Sequence, residues 1–115
     1  MIAIPEYSRY TATMGTASGG TVSAAFDIEG KTDIILFVPV LNDTPNLTFQ
    51  VSPTGDTYYD LLEDDGSTNA VTVVGGANAF AVSASDLAPL AGARFIKIVS
   101  SDAQSADRDF TIVGK

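Results

Sequence analysis

The chain has 115 residues, 45% of them apolar, with six basic against fourteen acidic side chains and a formal charge of -8. That length supports one domain whose core needs no disulfide or metal staple, and the apolar fraction excludes a disordered chain. The charge repels nucleic-acid phosphates and anionic lipid, and no apolar run approaches the roughly 20 residues of a membrane helix, so neither nucleic acid nor membrane is expected as a partner.

Met1 to Glu6 show no basic segment followed by a long apolar one, so no secretory leader is expected, and residues 1–6 read as an N-terminal arm ahead of a single domain over 7–115. Tyr7 to Thr13 is a candidate strand, closed by the turn residues Gly19-Gly20. Thr21 to Ile28 alternates, placing Val22, Ala24, Phe26 and Ile28 on one side and Thr21, Ser23, Ala25 and Asp27 on the other. After Glu29-Gly30 comes Ile34-Ile35-Leu36-Phe37-Val38, a continuous apolar run too short for a typical helix and rich in β-favouring types. It reads as a strand buried on both faces at the centre of a sheet. Asn42-Asp43-Thr44 and Asn46-Leu47-Thr48 fit the glycosylation pattern, which has meaning only in a secreted protein.

Leu47 to Ser52 alternates again, with Leu47, Phe49 and Val51 on the apolar side. Further strands are expected at Thr57 to Leu62, Ala70 to Val74, Ala79 to Val82, Arg94 to Val99 and Phe110 to Val113, with turns at Ser52-Pro53-Thr54-Gly55, Asp64-Asp65-Gly66 and Gly75-Gly76-Ala77-Asn78. Ser85 to Ala91 alone suits a helical turn, with Ser85 as N-cap and Pro89 limiting its extension. Eight or nine short strands spaced in this way predict an all-β fold, a single-domain antiparallel β-sandwich of jelly-roll type. An internal echo agrees: Gly19-Gly20 leads through two strands to Leu47-Thr48-Phe49-Gln50-Val51, and Gly75-Gly76 leads through two strands to Phe110-Thr111-Ile112-Val113.

With neither histidine nor cysteine, the commonest general base, the thiol nucleophile and the usual transition-metal ligands are missing, so no enzyme is expected and no catalytic, cofactor or metal residue is assigned. The remaining options are a carboxylate pair for glycoside hydrolysis, a Ser-Lys dyad or an oxygen-only metal site. The acidic loop Asp56, Asp60, Glu63, Asp64 and Asp65 departs from the calcium-loop pattern, since Leu61-Leu62 follows Asp60, and it reads as a solvated hairpin closed by Asp65-Gly66. Tyr58-Tyr59 suggests sugar stacking, but alternation sends Tyr59 and Leu61 one way and Tyr58 the other, which puts one tyrosine in the core. The two glycine pairs lack the helix and lysine of a phosphate cradle and read as turns. Arg94 and Lys97, flanking Phe95, read as strand-face charges that discourage edge pairing.

Five stretches, taken in order, carry a resemblance: Ser23-Ala24-Ala25-Phe26-Asp27, Leu47-Thr48-Phe49-Gln50-Val51-Ser52, Gly55-Asp56-Thr57-Tyr58-Tyr59-Asp60-Leu61, Gly92-Ala93-Arg94-Phe95-Ile96-Lys97 and Ala106-Asp107-Arg108-Asp109-Phe110-Thr111-Ile112-Val113. From about Thr21 to Lys115 the chain resembles a family of small virion structural proteins of tailed bacteriophages. The resemblance implies a non-enzymatic head decoration or cement protein, or a neck, tail or fibre component, made in the host cytoplasm and located in the virion. Implied partners are the major capsid protein or other virion proteins, with a homo-oligomer suggested by virion architecture. The chain lacks a coiled-coil or collagen-like stalk, which favours a compact capping module over a complete fibre. Its Ile34 to Val40 stretch is unusually apolar for the family, as a buried centre strand or a sticky surface would be. The alternative function is a carbohydrate- or receptor-binding β-sandwich of a phage neck, tail or fibre.

Overall fold

Alternating side chains become strands where one face can be buried, and here two such sheets bury each other. A computed structural model of the protein describes residues 7–62, 65–67 and 71–115. The expected arm, Glu63, Asp64 and Ala70 lie outside these residues. Nine strands are found among them: β1 (Ser8–Met14), β2 (Phe26–Asp27), β3 (Ile34–Val38), β4 (Asn46–Ser52), β5 (Tyr59–Asp60), β6 (Val73–Val74), β7 (Phe80–Val82), β8 (Phe95–Ser100) and β9 (Arg108–Gly114).

Sheet A has the order β1-β9-β3-β7 and sheet B the order β2-β8-β4-β5, with β6 also on β4, and every pairing is antiparallel. This is the connectivity of a jelly roll. The internal echo has a topological counterpart. Exchanging β2 with β7, β3 with β8 and β4 with β9 converts the order β7-β3-β9 of sheet A into β2-β8-β4 of sheet B.

The core lies between the sheets. Ala12, Met14, Ile34, Leu36, Val38, Phe110 and Ile112 point inward from sheet A, and Phe26, Leu47, Phe49, Ile96 and Ile98 from sheet B. Each large side chain buried here contributes roughly 1.5–3 kcal/mol of transfer free energy. Leu87 and Leu90, both fully buried, come from the one helical segment found among the described residues of the second half, a single 3-10 turn at Ala88–Leu90 with Leu87 as its N-cap. Ser85 is not the cap, because the chain from Ser83 turns twice before the 3-10 bonds begin, and Pro89 sits within the turn.

Two strand expectations are corrected. β3 has the expected bounds but is buried on one face: Ile34, Leu36 and Val38 are inside, whereas Ile35 and Phe37 are 38% and 45% exposed. β3 is indeed an interior strand of its sheet, yet no described residue covers the outer side of sheet A at Ile35 and Phe37. Thr21 to Ile28 is not one alternating strand either. Ser23 is buried and Ala24 exposed, and only Phe26–Asp27 pairs as a strand, with Val22 bridging Val99. Here the chain crosses between sheets: the Ser23 amide donates to Ile98 of β8, and the next amide, of Ala24, donates to Thr13 of β1. The inward Ser23 hydroxyl accepts from the Ile98 amide at 2.9 Å, so a polar side chain in the core is satisfied.

Candidate interaction face

Residues directly opposite in register share a face, so the β1, β9, β3 and β7 pairings define the outer surface of sheet A. One row is Arg9, Val113 and Ile35, and the next is Thr11, Thr111, Phe37 and Ala81. Thr13 and Asp109 follow, with the Thr13 hydroxyl donating to the Asp109 carboxylate. Arg9, Thr11, Phe37, Thr111 and Val113 line a shallow hollow of about 370 Å³. One cation and one anion make these rows neutral on a molecule of charge -8. An exposed phenylalanine and isoleucine side by side on a neutral sheet face supply what a desolvated protein contact needs.

The outer face of sheet B differs because its charged side chains are already engaged with neighbours on the same face. Arg94 Nε and Nη2 donate to the two Asp27 carboxylate oxygens at 3.3 and 3.4 Å, and the Arg94 guanidinium lies 5.1 Å from the Phe95 ring centre. The hydrogen bond from Arg94 holds the Asp27 carboxyl below its ordinary value, helped by the Glu29 amide. Lys97 Nζ stands 4.2 Å from the centre of the Tyr58 ring, and Gln50 Nε2 donates to Asp60 at 3.1 Å. Desolvation pushes the Tyr58 hydroxyl pKa up, with the Asp56 and Asp27 charges adding to it. β8 is an interior strand, so Arg94 and Lys97 do not guard an edge as expected; they neutralise and stack on side chains of the same face.

The tyrosines separate as alternation requires, but neither joins the core. Tyr58 is half-buried beneath Lys97, while Tyr59 pairs with Val51 on the inward side and, at the sheet edge, stays 59% exposed. They do not form one flat platform for a sugar ring. In the acidic loop, Asp60 belongs to β5, and Asp65 accepts from the Ser67 amide at 2.8 Å in a turn with Gly66 at φ +83°. Hydrogen bonding from Ser67 lowers the Asp65 pKa. Among the described residues no three carboxylates come together in a geometry that could hold a metal ion.

The outer-face pair Ile35 and Phe37 was visible in the sequence as an apolar run, and the "sticky surface" option fits it. Their exposure was not visible, because it depends on which strands flank β3 and on what lies above them.

No protein-family model matches the chain, and no curated protein matches it. Among solved structures it is similar to the SPBc2 prophage-derived protein YomS, with a TM-score of 0.51 at 8% identity, over 99% of this chain and 98% of that one. At that identity the likeness is one of fold, and it runs the length of both chains.

Proposed function

We propose that the chain is a non-enzymatic structural protein of a tailed-phage virion, a decoration or cement protein that seats the outer face of sheet A on the major capsid protein or another virion protein. The observation that carries this reading is Ile35 and Phe37, exposed side by side on an interior strand of a regular sheet. Such residues cost solubility and add nothing to the core, so a protein surface that covers them accounts for their presence. The phage context is supported by the fold shared with a prophage-derived protein and by the resemblance of the sequence to small virion proteins. The jelly roll also serves many unrelated functions, so the face rather than the fold bears the argument. The charge of -8 keeps the protein off packaged nucleic acid while the neutral face approaches the shell.

Quantitative mass spectrometry of purified particles from the phage that carries the gene tests this reading. A copy number near that of the major shell protein is the expected result. A few copies per particle would move the protein to a neck, tail or fibre position, and its absence would overturn the virion role.

A further inference from the structure

The four edges of the two sheets are not alike. β7 has three residues, and β2, β5 and β6 have two each, lengths too short to template another chain. β1 has seven, in unbroken register with β9 from Ser8 opposite Gly114 to Met14 opposite Arg108, with no proline, lysine or bulge. Protein sheets normally blunt such an edge with charges, proline, a bulge or a cover; here a single charge, Arg9, stands on it and the strand is otherwise left regular.

The hydrogen bonds fix which backbone groups face outward. Lys115 and Asp33 exchange both amide bonds, at 3.1 and 3.3 Å, so the odd-numbered residues around β9 turn toward β3 and the even-numbered ones toward β1. Ser8, Tyr10, Ala12 and Met14 therefore bond to β9, and Arg9, Thr11 and Thr13 face the free edge. The Ala24 amide, donating to the Thr13 carbonyl at 2.9 Å, agrees with this and closes the far end. Among the described residues nothing takes the amide and carbonyl groups of Arg9 and Thr11.

We infer that the β1 edge pairs antiparallel with the β1 edge of a second copy of this chain. Two outward donor–acceptor pairs spaced two residues apart are matched by the same strand turned through a two-fold axis. With Tyr10 on that axis, Arg9 lies opposite Thr11 of the second copy and Thr11 opposite its Arg9, giving four backbone hydrogen bonds. The strand's single charge then has no like charge directly opposite, and β1 contributes no carboxylate to a contact between two molecules of charge -8 each. Sheet A becomes an eight-stranded sheet with two copies of the Ile35 and Phe37 surface on one side. One strand pair buries less than the roughly 1,200 Å² of a standard stable interface, so the dimer is weak in free solution and fills where copies are concentrated. This inference does not depend on the virion role.

Sedimentation equilibrium over a wide concentration range, with wild type and Thr11→Pro, tests it. The Thr11 amide makes no bond to β9, and an edge position facing outward tolerates proline. The wild type should show a concentration-dependent monomer–dimer equilibrium that strengthens with added salt as the net charge is screened, and Thr11→Pro should weaken it at least tenfold with unchanged circular dichroism. A wild type that stays monomeric at the highest concentration, or a folded Thr11→Pro that dimerises equally, overturns the inference. If Thr11→Pro fails to fold, amide exchange of the wild type decides: protection of the Arg9 and Thr11 amides must rise with concentration, and concentration-independent fast exchange refutes the pairing.

Discussion

Gly20 and Gln104 meet backbone to backbone. The Gln104 amide donates to the Gly20 carbonyl at 3.0 Å, and a Cβ on Gly20 would lie 2.5 Å from the Gln104 oxygen and 2.7 Å from its nitrogen. Gly20 also holds φ +69°. The contact ties the loop after β1 to the loop between β8 and β9, where the Gln104 side chain in turn accepts from the Asn42 amide at 2.7 Å. Three loops at one end of the sandwich are thus joined through buried polar groups, which explains why a Gly-Gly turn stands at this position.

Gly20→Ala should therefore cost roughly 2–5 kcal/mol, from left-handed strain of about 1–2 and backbone overpacking of about 1–3. Gly92→Ala, at φ +81° with open space around the added Cβ, should cost about 1–2 kcal/mol from strain alone. Urea denaturation of both variants measures the difference, and equal losses would mean that the close approach to Gln104 carries no energy.

Neighbouring residues of β3 should respond very unequally. Leu36 is fully buried between the sheets, so Leu36→Ala should lose about 2–5 kcal/mol through lost transfer energy and a cavity. Phe37 faces outward and 45% exposed, and Phe37→Thr keeps a β-favouring side chain, so its cost should stay below about 1 kcal/mol. Chemical denaturation of each variant checks the assignment of faces.

The Asp27 carboxyl, bonded by Arg94 and the Glu29 amide, should titrate below its ordinary 3.8 in the folded protein. A depressed folded pKa gives a contribution that is present above the unfolded value and is lost as pH falls through the folded one, so the effect belongs to pH below about 4. Both partners are exposed, so the titration midpoint is the sensitive readout and stability is not. Carboxyl-carbon NMR should show the Asp27 midpoint rising in Arg94→Gln; an unchanged midpoint would remove Arg94 as the cause.

The regular parts of this fold were legible because they obey period two. Leu47 to Ser52 and Arg94 to Val99 fall within one residue of β4 and β8, and the Gly19-Gly20 and Gly75-Gly76 echo anticipated the exchange that relates the two sheets. The failures share a cause. Apolarity in Ile34 to Val38 says that side chains avoid water, but not whether the cover belongs to the same chain, so Ile35 and Phe37 were placed inside. At Ser23 to Ala25 the chain changes partners from β8 to β1, and a change of partner has no periodic signature. Thr57 to Leu62 shrinks to Tyr59–Asp60 because it runs beside β4 at a sheet edge for only two residues, a limit set by neighbours and not by its own composition. The candidate face was legible only as an excess of apolar residues, since its make-up and neutrality come from four strands distant in sequence.

The most direct measurement is cosedimentation of purified protein with phage particles stripped of it, comparing wild type, Phe37→Thr and Tyr59→Thr. Phe37 lies on the outer face of sheet A, and Tyr59 is a still more exposed aromatic at the edge of sheet B. Wild type and Tyr59→Thr should bind the particles alike while Phe37→Thr, still folded, loses at least about tenfold in affinity, the 1.4 kcal/mol expected for removing a central aromatic contact. Equal binding by Phe37→Thr and wild type would contradict the assignment of sheet A's outer face as the docking surface.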